Sequence, residues 1–490
     1  MPGDDKHIER RQSLKSANTC LVQPRISLLG DEWKHRVHEN SLSILSSVGV
    51  EVHSDRMRQM LEDAVGFSVA GNGRVTMPRE LVEWALDAAP STLDVYDRLG
   101  NHAFRLGDGV TRFGIGVTNL YYQQPETNTV TPFTADHMEM SVRLSNSLSS
   151  FEIVSTIGVL QEVPPSRADL DGTLRMVANT VKPLVILVSD ERQFPLVLDM
   201  LEHLVRDLAA KPFVIPYFNP ITPLIINEET GDRMLHAIDR GLPIIYSNLG
   251  MAGSSTPITP AGSLVLLNAE LLAGLTVSQL AREGTPVILG SLPMFFDMGA
   301  MLPVYDLLSV LLNLACAEMM AHYQLPHCGT SGSGDGWGPD PRSNATAWAN
   351  ALTSCLHKVG LCPFVGSNFG GMAFSPTSSV YANEIIAQAR GLAAGFPLSD
   401  ESLSLADIEK AGPGGSFLAS RKTFELFRDA HFRSDIFPNL SLEGWEEKGR
   451  PNAADLLRER TLELLRQPAI PGDYAELMVR GDAYIRQVTA

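Results

Sequence analysis

Eight short apolar runs, each followed by a helical segment, occupy residues 109–397 of this 490-residue chain and predict a (β/α)8 barrel. The runs are rich in β-branched residues. Strands that alternate with helices in this way lie parallel. Eight units close a barrel, and the span is that of an ordinary one. A doubly wound open sheet is the alternative. It would show fewer strands and a phosphate-binding GxGxxG after the first, of which Gly114-Ile-Gly116 is only a fragment.

In chain order, residues 1–25 lack periodicity and read as a disordered tail. Helical spacing over Asp31–Val48, Asp55–Ala64 and Pro78–Ala89, with a hairpin at 67–77 around Gly71-Asn-Gly73, predicts an N-terminal helical unit over 26–108. The barrel strands are expected at 112–117, 151–158, 183–188, 213–217, 243–247, 286–290, 327–330 and 362–365. The helices are expected at 134–148, 167–180, 195–208, 228–240, 261–283, 304–325, 341–359 and 378–394. From 398 to 490 the rhythm breaks into helices at 404–410, 422–427 and 454–465, a C-terminal wrap around the barrel. The helices at 261–283 and 304–325 are apolar on nearly all faces. They demand cover from the terminal units or from a second subunit, so the chain is expected to be a homo-oligomer.

Composition narrows the function. A formal charge of −17 argues against nucleic-acid binding. Five cysteines without a paired spacing suit reduced thiols, and the polar N-terminus shows no secretory leader, so the expected location is the cytoplasm. The 261–281 stretch is long enough to span a bilayer, but Asn268, Glu270, Ser278 and Gln279 mark it as a buried helix rather than a membrane span. The twelve histidines are scattered, with no metal motif, so no metal is expected on side chains.

Barrel active sites lie at the C-terminal strand ends. Those positions carry Tyr121, Tyr122, Asn219, Asn248, Phe295, Phe296, Ser331, Asp335, Trp337, Asn368 and Phe369. Only 7% of the chain is aromatic, yet five of the eight strand-end loops hold an aromatic residue, and none of the strand-end positions holds Lys or Arg. A phosphate site would want cations. An aromatic, cation-poor mouth suits a methylated ammonium ligand held by cation–π contact, although the same aromatics could be ordinary core. Five glycines in 326–340 let that loop approach a ligand closely. Asp335 is a candidate charge partner or a turn-capping carboxylate; Asp340 reads as a helix cap and Glu270 as a paired core carboxylate. Cys328, in the glycine loop, reads as a small semi-buried residue ahead of a nucleophile.

The stretch Leu249-Gly-Met-Ala-Gly-Ser-Ser-Thr-Pro-Ile-Thr-Pro-Ala-Gly262 and Asn268-Ala-Glu-Leu-Leu-Ala-Gly274 resembles the trimethylamine methyltransferase (MttB-like) superfamily. Leu45-Ser-Ser-Val-Gly-Val-Glu-Val-His53, Val75-Thr-Met-Pro78, Asn383-Glu-Ile-Ile386 and Gly412-Pro-Gly-Gly-Ser-Phe-Leu418 add to it. The resemblance implies a barrel enzyme that moves a methyl group from a methylamine to the cobalt of a corrinoid (cobalamin) presented by a partner protein. The chain has standard residues only, so it is similar to the branch without pyrrolysine, which implies a quaternary amine such as glycine betaine. Its loop departs from the family pattern at Trp337 and Arg342, and Lys422-Thr423 replaces the usual His-Thr. A quaternary ammonium leaves as a neutral amine, which needs no general acid and fits the lack of a catalytic dyad. A folate or thiol acceptor, or a non-catalytic binder of a methylamine or corrinoid, are the rival expectations.

Overall fold

A computed structural model of the chain describes residues 20–66, 73–329 and 333–489. Eight parallel strands close into a barrel: β1 (Arg112–Ile115), β2 (Ile153–Ser155), β3 (Leu184–Ile186), β4 (Val214–Phe218), β5 (Ile244–Ala252), β6 (Val287–Asp297), β7 (His327–Gly329) and β8 (Leu361–Val365). Each pairs with its neighbours in chain order. The longest seam, β5 with β6, runs from Ile244↔Val287 to Ala252↔Phe295, and β8 returns to β1 at Leu361↔Arg112. The helices between them are α1 (Ala135–Asn146), α2 (Pro165–Asn179), α3 (Gln193–Leu204), α4 (Glu228–Asp239), α5 (Pro260–Ala281), α6 (Leu307–His322), α7 (Pro341–His357) and α8 (Pro376–Ala394). Local chemistry sets where they start. Thr134 and His137 form a capping box on α1, Asp306 and Ser309 one on α6, and Thr259, Asp340 and Ser375 cap α5, α7 and α8, each followed by proline.

The N-terminal end of the barrel is plugged. A hairpin, Leu93–Tyr96 with His102–Leu106, sends Leu93, Val95, Phe104 and Leu106 against Ile153, Val185, Ile215, Ile245 and Ile288, one from each of five strands. Backbone bonds from Tyr96 to Pro212 and from Arg98 to Val181 tie it to the turns that precede β4 and β3. The sequence reading did not foresee this hairpin.

Three other expectations change. Residues 20–22, read as tail, form a strand (Cys20–Val22) paired antiparallel with Phe396–Leu398; three residues are too few to show alternation. Arg74–Val75 pairs with Val50–Val52, while the rest of the hairpin expected at 67–77 falls largely on 67–72, outside the described residues. The apolar helix α5 lies under Asp31–Ser47, Asp55–Val65 and Arg79–Ala88 and is mostly buried, so it demands no second subunit. The C-terminal helices Ala453–Arg466 and Tyr474–Thr489 lie against α8 and α1 and against α2 and α3. A bidentate ion pair from buried Arg98 to Asp473, at 2.6 and 2.8 Å, locks the last of them to the plug.

Candidate active site

At the opposite end of the barrel the strand ends enclose a cavity of about 350 Å3. Its walls are apolar: Val117, Leu187, Leu249, Leu292, Met294 and Pro303. Three aromatic rings join them. Tyr217, near the end of β4, meets Phe364 of β8 edge to face, ring centres 5.1 Å apart. Tyr305 comes from the turn between the β6 extension and α6; its hydroxyl bonds the Asn350 side chain at 3.0 Å, which pins the ring from α7.

The polar groups are few. Asn219 donates to the Ser247 carbonyl at 2.7 Å and to the Tyr217 hydroxyl at 3.3 Å. Ser333 donates to the Phe364 carbonyl and Thr118 to the Val117 carbonyl. Asp335 is the carboxylate in the lining. Its Oδ2 accepts from the Tyr305 backbone N–H at 2.9 Å, and the Arg342 guanidinium stands 3.8 Å away on the rim. Burial pushes the Asp335 carboxyl above its ordinary value, against the lowering pull of that N–H and of Arg342. No Lys or Arg lines the cavity among the described residues, and 330–332 in the same loop are Thr, Ser and Gly.

The loop after β7 is stitched to the loop after β8, since Phe369 N–H donates to Gly336 O at 2.9 Å and Gly370 N–H to Gly334 O at 3.1 Å. Position 336 must be glycine, because a Cβ there would sit 2.1 Å from Ser343 Oγ. Asp340, as expected, serves structure: it caps α7 and accepts from the Trp337 N–H at 2.7 Å.

Residues 4–485 match the model of the trimethylamine methyltransferase (MTTB) family. The chain belongs to that family. It is 25% identical over 466 residues to the trimethylamine methyltransferase MttB of Desulfitobacterium hafniense (strain DSM 10664 / DCB-2), covering 94% of this chain and 93% of the relative. It is 26% identical over 435 residues to the glycine betaine methyltransferase of strain Y51 of that species, covering 85% and 87%. The crystal structure of the Methanosarcina barkeri monomethylamine methyltransferase (MtmB) has the same fold, with a TM-score of 0.54 at 10% identity over 91% of this chain and 89% of that one. The protein is thus a methyltransferase, built on a closed eight-stranded barrel with helical extensions.

Within this family member the sequence-predicted site residues scatter. Of the eleven, Asp335 and Asn219 line the cavity. Tyr121 is 40% exposed on a small outer sheet, and Tyr122 is buried, stacked on His137 at 4.0 Å. Asn248 is buried and donates to Leu267 O and to Glu270. Alternation along β6 turns Leu292 and Met294 inward, which leaves Phe295 on the other face. Phe296 lies further along the strand, paired with Pro303, and is not in the lining. Asn368 is buried and clamps Gln123, Ser343 and Ser378 together. Phe369 is 37% exposed and Trp337 69% exposed; neither lines the cavity. Ser331 lies outside the described residues.

Tyr305 and Phe364 were missed. Tyr305 was absorbed into a helix drawn from 304, although Asp306 with Ser309 reads as a cap that starts the helix after it. Phe364 faces inward together with Leu361, three residues away, because the pairing of β8 with β1 shifts register between Cys362 and Val365. Glu270 is buried as expected and accepts from Thr222 Oγ1, the Leu224 N–H and Asn248 Nδ2 at 2.6–3.0 Å, which fixes the loop after β4 to α5. Burial, opposed by those bonds, pushes its carboxyl up to about 7. Cys328 is buried, and burial pushes its thiol up, as suits a small packed residue.

Proposed function

We propose that this methyltransferase demethylates a small quaternary or methylated amine and passes the methyl group to the cobalt of a corrinoid protein. The observation that carries the reading is a cavity at the C-terminal end of the barrel strands lined by Tyr217, Tyr305 and Phe364, holding the Asp335 carboxylate and, among the described residues, no cationic side chain. Ring faces attract a methylated ammonium, with each contact worth roughly 0.5–2 kcal/mol once water is excluded. Asp335 adds a counter-charge. The relatives named as trimethylamine and glycine betaine methyltransferases support the same substrate class.

The chain's part in the reaction is binding and alignment. Asn219, Tyr217 and Tyr305 are each held by hydrogen bonds, so the ammonium would enter a preformed pocket with one N–CH3 bond turned to the mouth. Apolar walls keep water from the methyl group. The leaving group is a neutral amine when the substrate is quaternary, so no acid is needed. A corrinoid supplies the nucleophile that takes the methyl group. The mouth fits such a visitor: Trp337 and, on the tip of the β6 hairpin, Met298, Met301 and Leu302 expose apolar surface.

We further propose self-association in the cytoplasm. Phe396, Leu405, Phe417, Leu418, Phe424 and Leu442 are 45–87% exposed along one stretch of chain, and a second copy would cover such apolar side chains. Light scattering that finds a monomer at micromolar concentration contradicts this.

Screening methylated amines by mass spectrometry with cobalt(I) cobalamin as acceptor tests the function. Methylcobalamin formed with at least one amine supports it. Methyl transfer that needs folate or a thiol instead, or tight binding without turnover, defeats it.

A further inference from the structure

The charges around the cavity are one-sided. Asp335 is the acid in the lining, no Lys or Arg lines the cavity among the described residues, and the nearby Arg342, 3.8 Å from Asp335, lies outside the lining. Three of the neutral side-chain donors among the described residues already have acceptors. Asn219 Nδ2 donates to the Ser247 carbonyl, Thr118 Oγ1 to the Val117 carbonyl and Ser333 Oγ to the Phe364 carbonyl. A ligand with a carboxylate would bring that group within a few bonds of its ammonium, into about 350 Å3 of mostly apolar space. It would meet the like charge of Asp335 and, among the described residues, no cationic side chain of the lining, and a buried carboxylate without a counter-charge is strongly disfavoured.

Resting on the methylated-amine reading above, we infer that the substrate is a methylated ammonium whose remaining substituent bears no anion: an alkyl or hydroxyalkyl group, as in tetramethylammonium or choline, rather than a betaine. The cation itself is served by Asp335 and the three rings. A short uncharged substituent is served by Leu187, Leu249, Leu292 and Met294. Arg342 does not rescue a carboxylate. It is 58% exposed, stands outside the lining, and directs its charge at Asp335. Moving it to a ligand would leave Asp335 without its nearest cation.

The inference separates this chain from the relative named as a glycine betaine methyltransferase, with which it shares 26% identity. It also differs from what the sequence resemblance implied.

Titration calorimetry on the full chain decides it, with tetramethylammonium, choline and glycine betaine as probes. The expected result is that tetramethylammonium and choline bind at least tenfold more tightly than glycine betaine. In Asp335→Asn the gap narrows, through weaker binding of the first two. Glycine betaine bound as tightly as choline, or more tightly, overturns the inference and leaves the methylated-amine function standing. So does a loss of betaine binding in Arg342→Gln with choline binding kept, because it would show Arg342 holding the carboxylate. If none of the three binds, the methylated-amine reading falls, and this inference falls with it. The comparison of ligands on the parent protein stands even if the Asp335→Asn chain fails to fold.

Discussion

The two ends of one barrel are finished in opposite ways. At the N-terminal end, Val95, Phe104 and Leu106 fill the bore against isoleucines and a valine, in a cluster that continues to Leu292, Tyr217 and Phe364. At the C-terminal end the bore is left open, and Tyr217, Phe364, Asn219 and Asp335 stand around an empty volume. The strands are the same; what differs is what the connections bring. A hairpin from outside the barrel closes one end, while glycine-bearing loops hold the other end apart. Stability should therefore be concentrated at the plug and ligand recognition at the mouth.

The largest expected effect is at the plug. Phe104→Ala removes a buried ring and should lower stability by about 3–5 kcal/mol. Choline affinity of the protein that remains folded should be unchanged, as calorimetry at low temperature would show. A change in affinity with no change in melting temperature would break the division of labour.

Next is Glu270, on α5, bonded to the loop that follows β4. Its folded carboxyl at about 7 lies above the ordinary 4.5, so the native state holds a proton that the unfolded chain releases. Stability from this group is full below 4.5 and is lost as pH rises to about 7, on the order of 3 kcal/mol in all. Melting curves should show that fall in the parent and not in Glu270→Gln. A flat parent profile between pH 5 and 8 would count against it.

Smaller changes belong to the mouth. Asp335→Asn should weaken choline binding by roughly tenfold, about 1.4 kcal/mol, with little loss of stability. In the parent, binding should fade on acidification, starting at a higher pH than an ordinary carboxylate would give, because burial raises the Asp335 carboxyl. Tyr217→Leu should cost roughly 2- to 30-fold in affinity, one cation–π face. Trp337→Ala should change affinity by less than about 0.5 kcal/mol, since its side chain is largely in water and the protein uses its backbone.

The contrast also explains what the sequence could tell. Barrel strands and helices repeat, and repetition is legible in a linear chain; all eight strands lie where apolar runs put them. The lack of Lys and Arg at the strand ends was legible too, but none of the six aromatics named from the sequence lines the cavity. Which aromatics face inward was not. Tyr122 and Phe295 sit as close to strand ends in sequence as Tyr217 does, but pleat and packing turn one into the core and the other away from the bore. Phe364 needs a register shift, and Tyr305 a hairpin, before either reaches the cavity. The plug was invisible for a related reason. Leu93–Tyr96 and His102–Leu106 are short, and their partners lie on five other strands.

The central claim is that the mouth reads positive charge and not only apolar shape. Choline and its uncharged carbon analogue, in which carbon replaces the ammonium nitrogen, have nearly the same size and surface, so their relative affinity isolates charge. The account predicts choline bound at least tenfold more tightly to the parent, with the advantage reduced in Asp335→Asn and in Tyr217→Leu. Equal affinity of the two ligands for the parent protein would contradict it.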